Sequence, residues 1–263
     1  MEVDFGRTAE DYARHRAGFP ERLFERLLAM GAVRPGERLL DLGTGTGTLA
    51  RGFAGRGLLV TGLDISAAML EQARRLDRAA GLTVDYVRAP AEASGLADAS
   101  FEVVIAGQCW HWFDRPRAAA EIRRLLRPGG RVVIATFDWL PLPRSVVAAT
   151  EDLIRQHNPA WTMGGGSGIH PSYLADLSGA GFVGLETFSF DQAVAYGHAA
   201  WRGRIRASAG IAASLAPDAV ARFDAEHAAL LRRDFPTDPL SIPHRCWAAI
   251  GNAPRCRAAM RSC

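Results

Sequence analysis

The stretch Arg38-Leu39-Leu40-Asp41-Leu42-Gly43-Thr44-Gly45-Thr46-Gly47 decides the fold of this 263-residue chain. Its first half is a short apolar run, the mark of a buried strand. Its second half has a glycine at every other position, and residues 46–56 then read as a helix. In such a turn Gly43, Gly45 and Gly47 carry no Cβ, so the backbone can come close to a ligand, and the helix that follows presents free N–H groups.

The same unit recurs downstream. Leu58–Asp64 reads as a second strand, and Ser66 can cap a helix over 67–80. Thr83–Val87 and Phe101–Ala106 are the third and fourth strands. A helix over 115–126 is stopped by Arg127-Pro128-Gly129-Gly130, and Arg131–Phe137 is the fifth strand. The strands are apolar on both faces and alternate with helices. That pattern predicts an α/β fold: a Rossmann-like, mostly parallel sheet with helices on both faces. A sixth strand near 182–190 and a last one near 244–250 bring the count to seven.

Further helices are expected over 21–31, 145–157 and 197–233. Residues 138–180 and 191–242 are too long for plain connections. They read as a helical cap inserted after strands five and six, over the carboxyl edge where open α/β sheets bind ligands. The expected organisation is a cover and core over 1–137, core strands at 181–190 and 243–251, and a basic tail over 252–263.

Composition removes several functions. The 31 basic residues are all Arg, so Schiff-base chemistry, a pyridoxal anchor and a P-loop lysine are excluded. The net charge of +3 resides in Arg255, Arg257 and Arg261, which leaves a neutral body without the basic stripe that nucleic acid needs. No apolar run is long enough to span a membrane, and no secretory leader is visible, so a cytoplasmic protein is expected. Cys109, Cys246, Cys256 and Cys263 have neither zinc nor disulfide spacing, and no metal is expected.

Spacing narrows the ligand. A dinucleotide fingerprint requires G-x-G-x-x-G, but Thr48 stands at its third glycine and Gly47 comes one residue early. Asp41 beside the loop would repel a pyrophosphate and suit an ammonium group. Asp64 ends the next strand, 23 residues on, where a carboxylate can accept both hydroxyls of a ribose.

These pieces resemble the class I S-adenosylmethionine-dependent methyltransferases. The resemblance covers residues 36–137 and rests on Leu39–Gly47, Asp64-Ile65-Ser66, Ala91-Glu92, Phe101-Glu102-Val103-Val104 and Leu126-Arg127-Pro128-Gly129-Gly130. It implies a cofactor set of Asp41, Gly43, Thr44, Gly45, Gly47, Asp64, Ile65, Met69, Ala91, Glu92 and Gln108. The glycine loop would face the methionine end, Asp64 the ribose and Ile65 the adenine. Ala91 stands where the family more often has Asp. A narrower similarity, to trans-aconitate and ubiquinone-biosynthesis-like methyltransferases, rests on Tyr12–Pro20 and Gln108–Phe113. It implies that Tyr12 and Arg16 contact the methionine carboxylate.

Methyl transfer from a sulfonium needs alignment, exclusion of water and, for some acceptors, a base. Trp110-His111-Trp112-Phe113 follows strand four. His111 there and His170 farther on are the candidate bases, with structural wall as the competing reading of His111. Trp110, Trp112, Trp161, His170 and Arg245 are the candidate acceptor contacts. The expected reaction is methylation of a small molecule on O, N or C. Two alternatives stand: a cofactor-binding protein of the same fold that does not methylate, and a tRNA or protein methyltransferase. A homo-oligomer is compatible with this reading.

Overall fold

The computed structural model describes residues 17–255. Its sheet has seven strands: β1 (Arg38–Leu42), β2 (Leu59–Asp64), β3 (Asp85–Arg88), β4 (Phe101–Gly107), β5 (Leu126–Trp139), β6 (Val183–Tyr196) and β7 (Leu240–Asn252). Their order is β3-β2-β1-β4-β5-β7-β6. β1 lies parallel to both β2 and β4, β2 to β3, and β4 to β5. β7 runs antiparallel to β5, because Leu140 N–H bonds Pro243 O while Ala253 N–H bonds Gly130 O. The expected α/β sheet is therefore present. The chain order turns outward on either side of β1 and β4, and such a reversal is where open α/β sheets take ligands, at the carboxyl ends of the strands.

Helices are α1 (Glu21–Ala29), α2 (Thr48–Ala54), α3 (Ala67–Ala80), α4 (Arg115–Leu125), α5 (Val146–His157), α6 (Pro171–Gly179), α7 (His198–Arg206) and α8 (Pro217–Asp234). α3 has the bounds expected from sequence, since Ser66 Oγ accepts the Met69 N–H and Gly81 closes the helix in the left-handed region. Asp114 caps α4 in the same way.

Four expectations need correcting. The fifth strand starts at Leu126 rather than Arg131. Leu126 pairs with Phe101, and Arg131 with Val103, so Arg127–Gly130 is an excursion within the ladder and not a helix stop followed by a turn. The sixth strand continues to Tyr196 and the last starts at Leu240, because Tyr196, and Leu240 with Ile242, turn inward beyond the predicted ends. The third strand is shifted to Asp85–Arg88. The span 197–233 is two helices, since Pro217 fits only the first turn of a helix and so begins a new one.

By contact the chain divides into two compact units. One comprises Phe19–Thr136, His170–Phe188 and the last strand from Trp247 onward. Its core includes Leu40, Leu42, Leu63, Val104, Trp110, Ile122, Ile134, Tyr173 and Trp247. The other comprises Phe137–Ile169 and Ser189–Cys246. It has its own core of Val147, Ile154, Trp161, Trp201, Ile205, Phe223, Leu231 and Ile242. Among the described residues no helix is long and apolar enough to cross a membrane.

Candidate functional site

The glycine turn is held from below by one carboxylate. Asp41, 2% exposed at the end of β1, accepts the Thr44 hydroxyl at 2.6 Å and the Ala50 N–H at 3.1 Å, both on Oδ2. Burial pushes its pKa up to about 6, and those two hydrogen bonds keep it from rising further. Thr44 N–H bonds Leu63 O at 2.9 Å and ties the turn to β2. On the α2 side, Arg51 Nη1 donates to Thr46 O at 2.6 Å and reaches Asp77 at 3.2 Å.

Two glycines have separate reasons to be glycine. Gly43 has φ +70°, and a Cβ there would lie 2.8 Å from Cys109 Sγ and 2.9 Å from Phe113 Cζ. Gly45 has φ +56°, yet a Cβ would meet nothing within 4 Å. Its backbone conformation demands glycine while the space over it stays open. That combination is a cradle, and a ligand group can lie directly on the peptide.

Asp64 faces the same turn. Gly45 N–H donates to its Oδ2 at 2.9 Å and Ser66 N–H to its Oδ1 at 2.8 Å. Each oxygen keeps a lone pair for further donors, as two ribose hydroxyls would require. Burial raises the pKa of Asp64 and the backbone donors oppose it. Ile65 beside it is 69% exposed, an uncovered apolar surface next to an anchored carboxylate.

The remaining expected cofactor residues are more varied. Met69 and Ala91 are buried in the sheet unit. Glu92 accepts the Asp114 N–H at 2.9 Å and so holds the start of α4. Gln108 follows β4 with φ +59°, a left-handed conformation that is costly for a residue with a side chain. Its N–H bonds Ala135 O at 2.9 Å, so the strain is fixed by the ladder. Tyr12 and Arg16 lie outside the described residues.

The aromatic segment after β4 splits. Trp110 is 1% exposed, and its Nε1 donates to Asp176 of α6 at 2.9 Å, a carboxylate shared with Arg115. His111 and Trp112 are exposed, with ring centroids 4.7 Å apart. His170, the N-cap of α6, stacks on Tyr173 at 4.8 Å and meets the edge of Trp247 at 5.7 Å. In the other unit, Trp161 is core, and Arg245 forms a two-point pair with Asp191 at 2.6 and 2.8 Å. The structure thus gathers Asp41, the glycine turn, Asp64 and Ile65 into one site. Trp161 and Arg245 have structural partners of their own.

Sequence reading missed Arg51 and Gly62. A Cβ on Gly62 would fall 2.6 Å from the Tyr86 ring and 3.0 Å from Thr44 Cγ2. An isolated glycine inside β2 was the available signal for that close approach. Arg51 gave none, since a helical arginine is usually solvated. Among the described residues no cluster of three or more His, Cys, Asp or Glu side chains suits a metal.

Residues 40–134 match the family model described as "Methyltransferase domain". An uncharacterized methyltransferase of Mycobacterium tuberculosis is 39% identical over 132 residues, 50% of this chain and 51% of that protein. A malonyl-[acyl-carrier protein] O-methyltransferase of Serratia marcescens is 38% identical over 134 residues, 51% of each chain. The chain spans about half the length of the curated relatives it matches. Among solved structures, a proposed type II methyltransferase from Anaeromyxobacter dehalogenans superposes with a TM-score of 0.61 at 28% identity, covering 91% of this chain and 99% of that one.

Proposed function

We propose that this chain, a member of the class I S-adenosylmethionine-dependent methyltransferases, binds that cofactor and directs its methyl group to a small-molecule acceptor. The observation that carries the reading is the open, left-handed peptide at Gly45 beside the doubly anchored Asp64. A cradle of that shape, with a carboxylate whose lone pairs remain available and an exposed Ile65, fits a nucleoside with free ribose hydroxyls. When bound, S-adenosylmethionine supplies an electrophilic methyl carbon and a neutral thioether leaving group.

The residues have distinct tasks in this reading. The Gly43–Gly47 peptides hold the amino-acid end of the cofactor, with Asp41 beneath them supplying negative potential. Asp64 accepts the ribose hydroxyls, and Ile65 covers one face of the base. Glu92 and Gln108 lie at the ends of the adjoining loops. His111 is exposed after β4 and can take a proton from an acceptor hydroxyl or amine. The relative from Serratia is named for methylating an oxygen of a malonyl group, and acyl and hydroxyl acceptors fall within the proposed class.

Titration calorimetry with S-adenosylhomocysteine tests the site. Asp64→Ala should weaken binding at least tenfold, since two hydrogen bonds to a charged acceptor are lost at about 1.5–3 kcal/mol each. An unchanged dissociation constant would take Asp64 out of this role. Methyl transfer is tested by incubating the chain with labelled cofactor and a panel of small hydroxy, amino and carboxylic acids.

A further inference from the structure

The glycine turn is open at Gly45 and closed at Gly47. Gly47 has φ +76°, and a Cβ on it would fall 2.5 Å from the Tyr86 hydroxyl oxygen and 2.9 Å from Arg51 Nη1. The peptide between Thr46 and Gly47 is pinned at both ends. Gly47 N–H donates to Thr44 O at 2.9 Å, and Thr46 O accepts from Arg51 Nη1 at 2.6 Å. Glycine takes either sign of φ at little cost, so the peptide ahead of it can flip unless its carbonyl is held. Arg51 supplies that hold.

The arginine is itself held. Its Nη1 also donates to Asp77 Oδ1 at 3.2 Å, so the two hydrogens of that nitrogen go one to the turn and one to α3. The two side chains are 18% and 5% exposed, which leaves the pair little screened by water. Asp77 is out of place by local rules. It occupies the inward stripe of α3 with Met69, Leu70 and Ala73, where an apolar residue would pack. It also stands in the last turn of that helix, where the carbonyl ends disfavour an anion. A buried carboxylate in that position needs its cation. Tyr86 lies beside them, and burial, then the Asp77 carboxylate, push its pKa up. All these residues belong to the sheet unit.

We propose that Arg51, anchored by Asp77, is a positioning residue for the cofactor: it locks the Thr46–Gly47 peptide and so keeps the turn in the shape that receives the amino-acid end of S-adenosylmethionine. The inference rests on the methyl-transfer reading for the identity of the ligand, and on the sheet unit alone for the geometry. Arg51 acts on the backbone of the turn and leaves the ligand to the peptides it holds. Its contribution is pre-organisation, which binding would otherwise have to supply. The nucleoside end belongs to Asp64 and Ile65. Loss of Arg51 therefore divides the ligand: the amino-acid end is held less well and the nucleoside end as before.

The full chain is titrated by calorimetry with S-adenosylhomocysteine and with 5′-methylthioadenosine, which keeps the nucleoside and lacks the amino acid. Arg51→Gln should weaken S-adenosylhomocysteine by about tenfold or more and 5′-methylthioadenosine by about twofold at most. Arg51→Lys, whose ammonium can still donate to Thr46 O and Asp77, should recover most of that loss. Asp77→Asn, which keeps an acceptor but not the charge, should lower the same ratio severalfold and carries the test if Arg51→Gln does not fold. Arg78→Gln, which removes only a surface pair with Glu71 on the same helix, should bind both ligands as the parent does. The proposal is overturned if the Arg51 and Asp77 variants keep the parent's affinity for S-adenosylhomocysteine, if they weaken both ligands alike, or if lysine at 51 restores nothing. A parent chain that binds neither ligand would instead defeat the cofactor reading, and this proposal with it.

Discussion

Replacing Asp41 by asparagine keeps the shape at the end of β1 and removes the charge. The parent carboxyl titrates at about 6 in the folded chain and at 3.8 when unfolded. Between those values the native state holds a proton that the unfolded chain has released, so stability falls as pH rises. The contribution is fully present below pH 3.8 and is lost as pH passes 6. At 1.36 kcal/mol per unit, the loss comes to about 3 kcal/mol. Asparagine does not titrate, and its side-chain oxygen can still accept from Thr44 and Ala50. The stability of Asp41→Asn relative to the parent should therefore climb by about 2.4 kcal/mol between pH 4 and pH 7 and be nearly level beyond. Urea unfolding of both proteins, without ligand, at half-unit intervals of pH measures that difference directly. A difference that is independent of pH, or that falls as pH rises, would refute the claim that a desolvated carboxylate lies under the glycine turn.

Three further outcomes follow from the same geometry. Gly43→Ala should destabilise the chain by about 2 kcal/mol or more, through a left-handed backbone and contact with Cys109 and Phe113, whereas Gly45→Ala, with open space above it, should cost less in urea stability and more in S-adenosylhomocysteine affinity; equal effects on both properties would contradict the cradle. Glu121, held near a pKa of about 2 by Arg124 and Ser94, stabilises the fold above pH 4.5 and loses that contribution as pH falls toward 2. Glu121→Gln should be about 1–3 kcal/mol less stable at neutral pH, with the gap closing in acid, as denaturant midpoints will show. Once an acceptor is in hand, His111→Ala should lower kcat at least tenfold while the S-adenosylhomocysteine constant is unchanged, and a variant with parental kcat would reduce His111 to a wall residue.

The sheet unit was legible because local rules and global packing agree there. Ser66, the apolar stripe of Ala67–Ala80 and Gly81 give α3 to the residue, and the apolar run to Leu42 with its glycine turn gives the first crossover. Asp64 was readable for the same reason, as an acid ending a strand. Pro128-Gly129-Gly130 was misread because the punctuation that stops a helix also serves a bulge, and only pairing with β4 separates the two. The ends of β6 and β7 were missed because polar residues alternate with Phe, Tyr and Ile there, and long-range partners decide whether such a run is strand.

Gln108 sits in a backbone region where its own side chain is a burden. Any search for heat-resistant variants of this chain would be rewarded at that position by glycine, which relieves roughly 1–2 kcal/mol at no cost to the ladder bond with Ala135. Under the proposed cofactor reading, position 108 is where robustness is exchanged for an amide at the carboxyl end of β4.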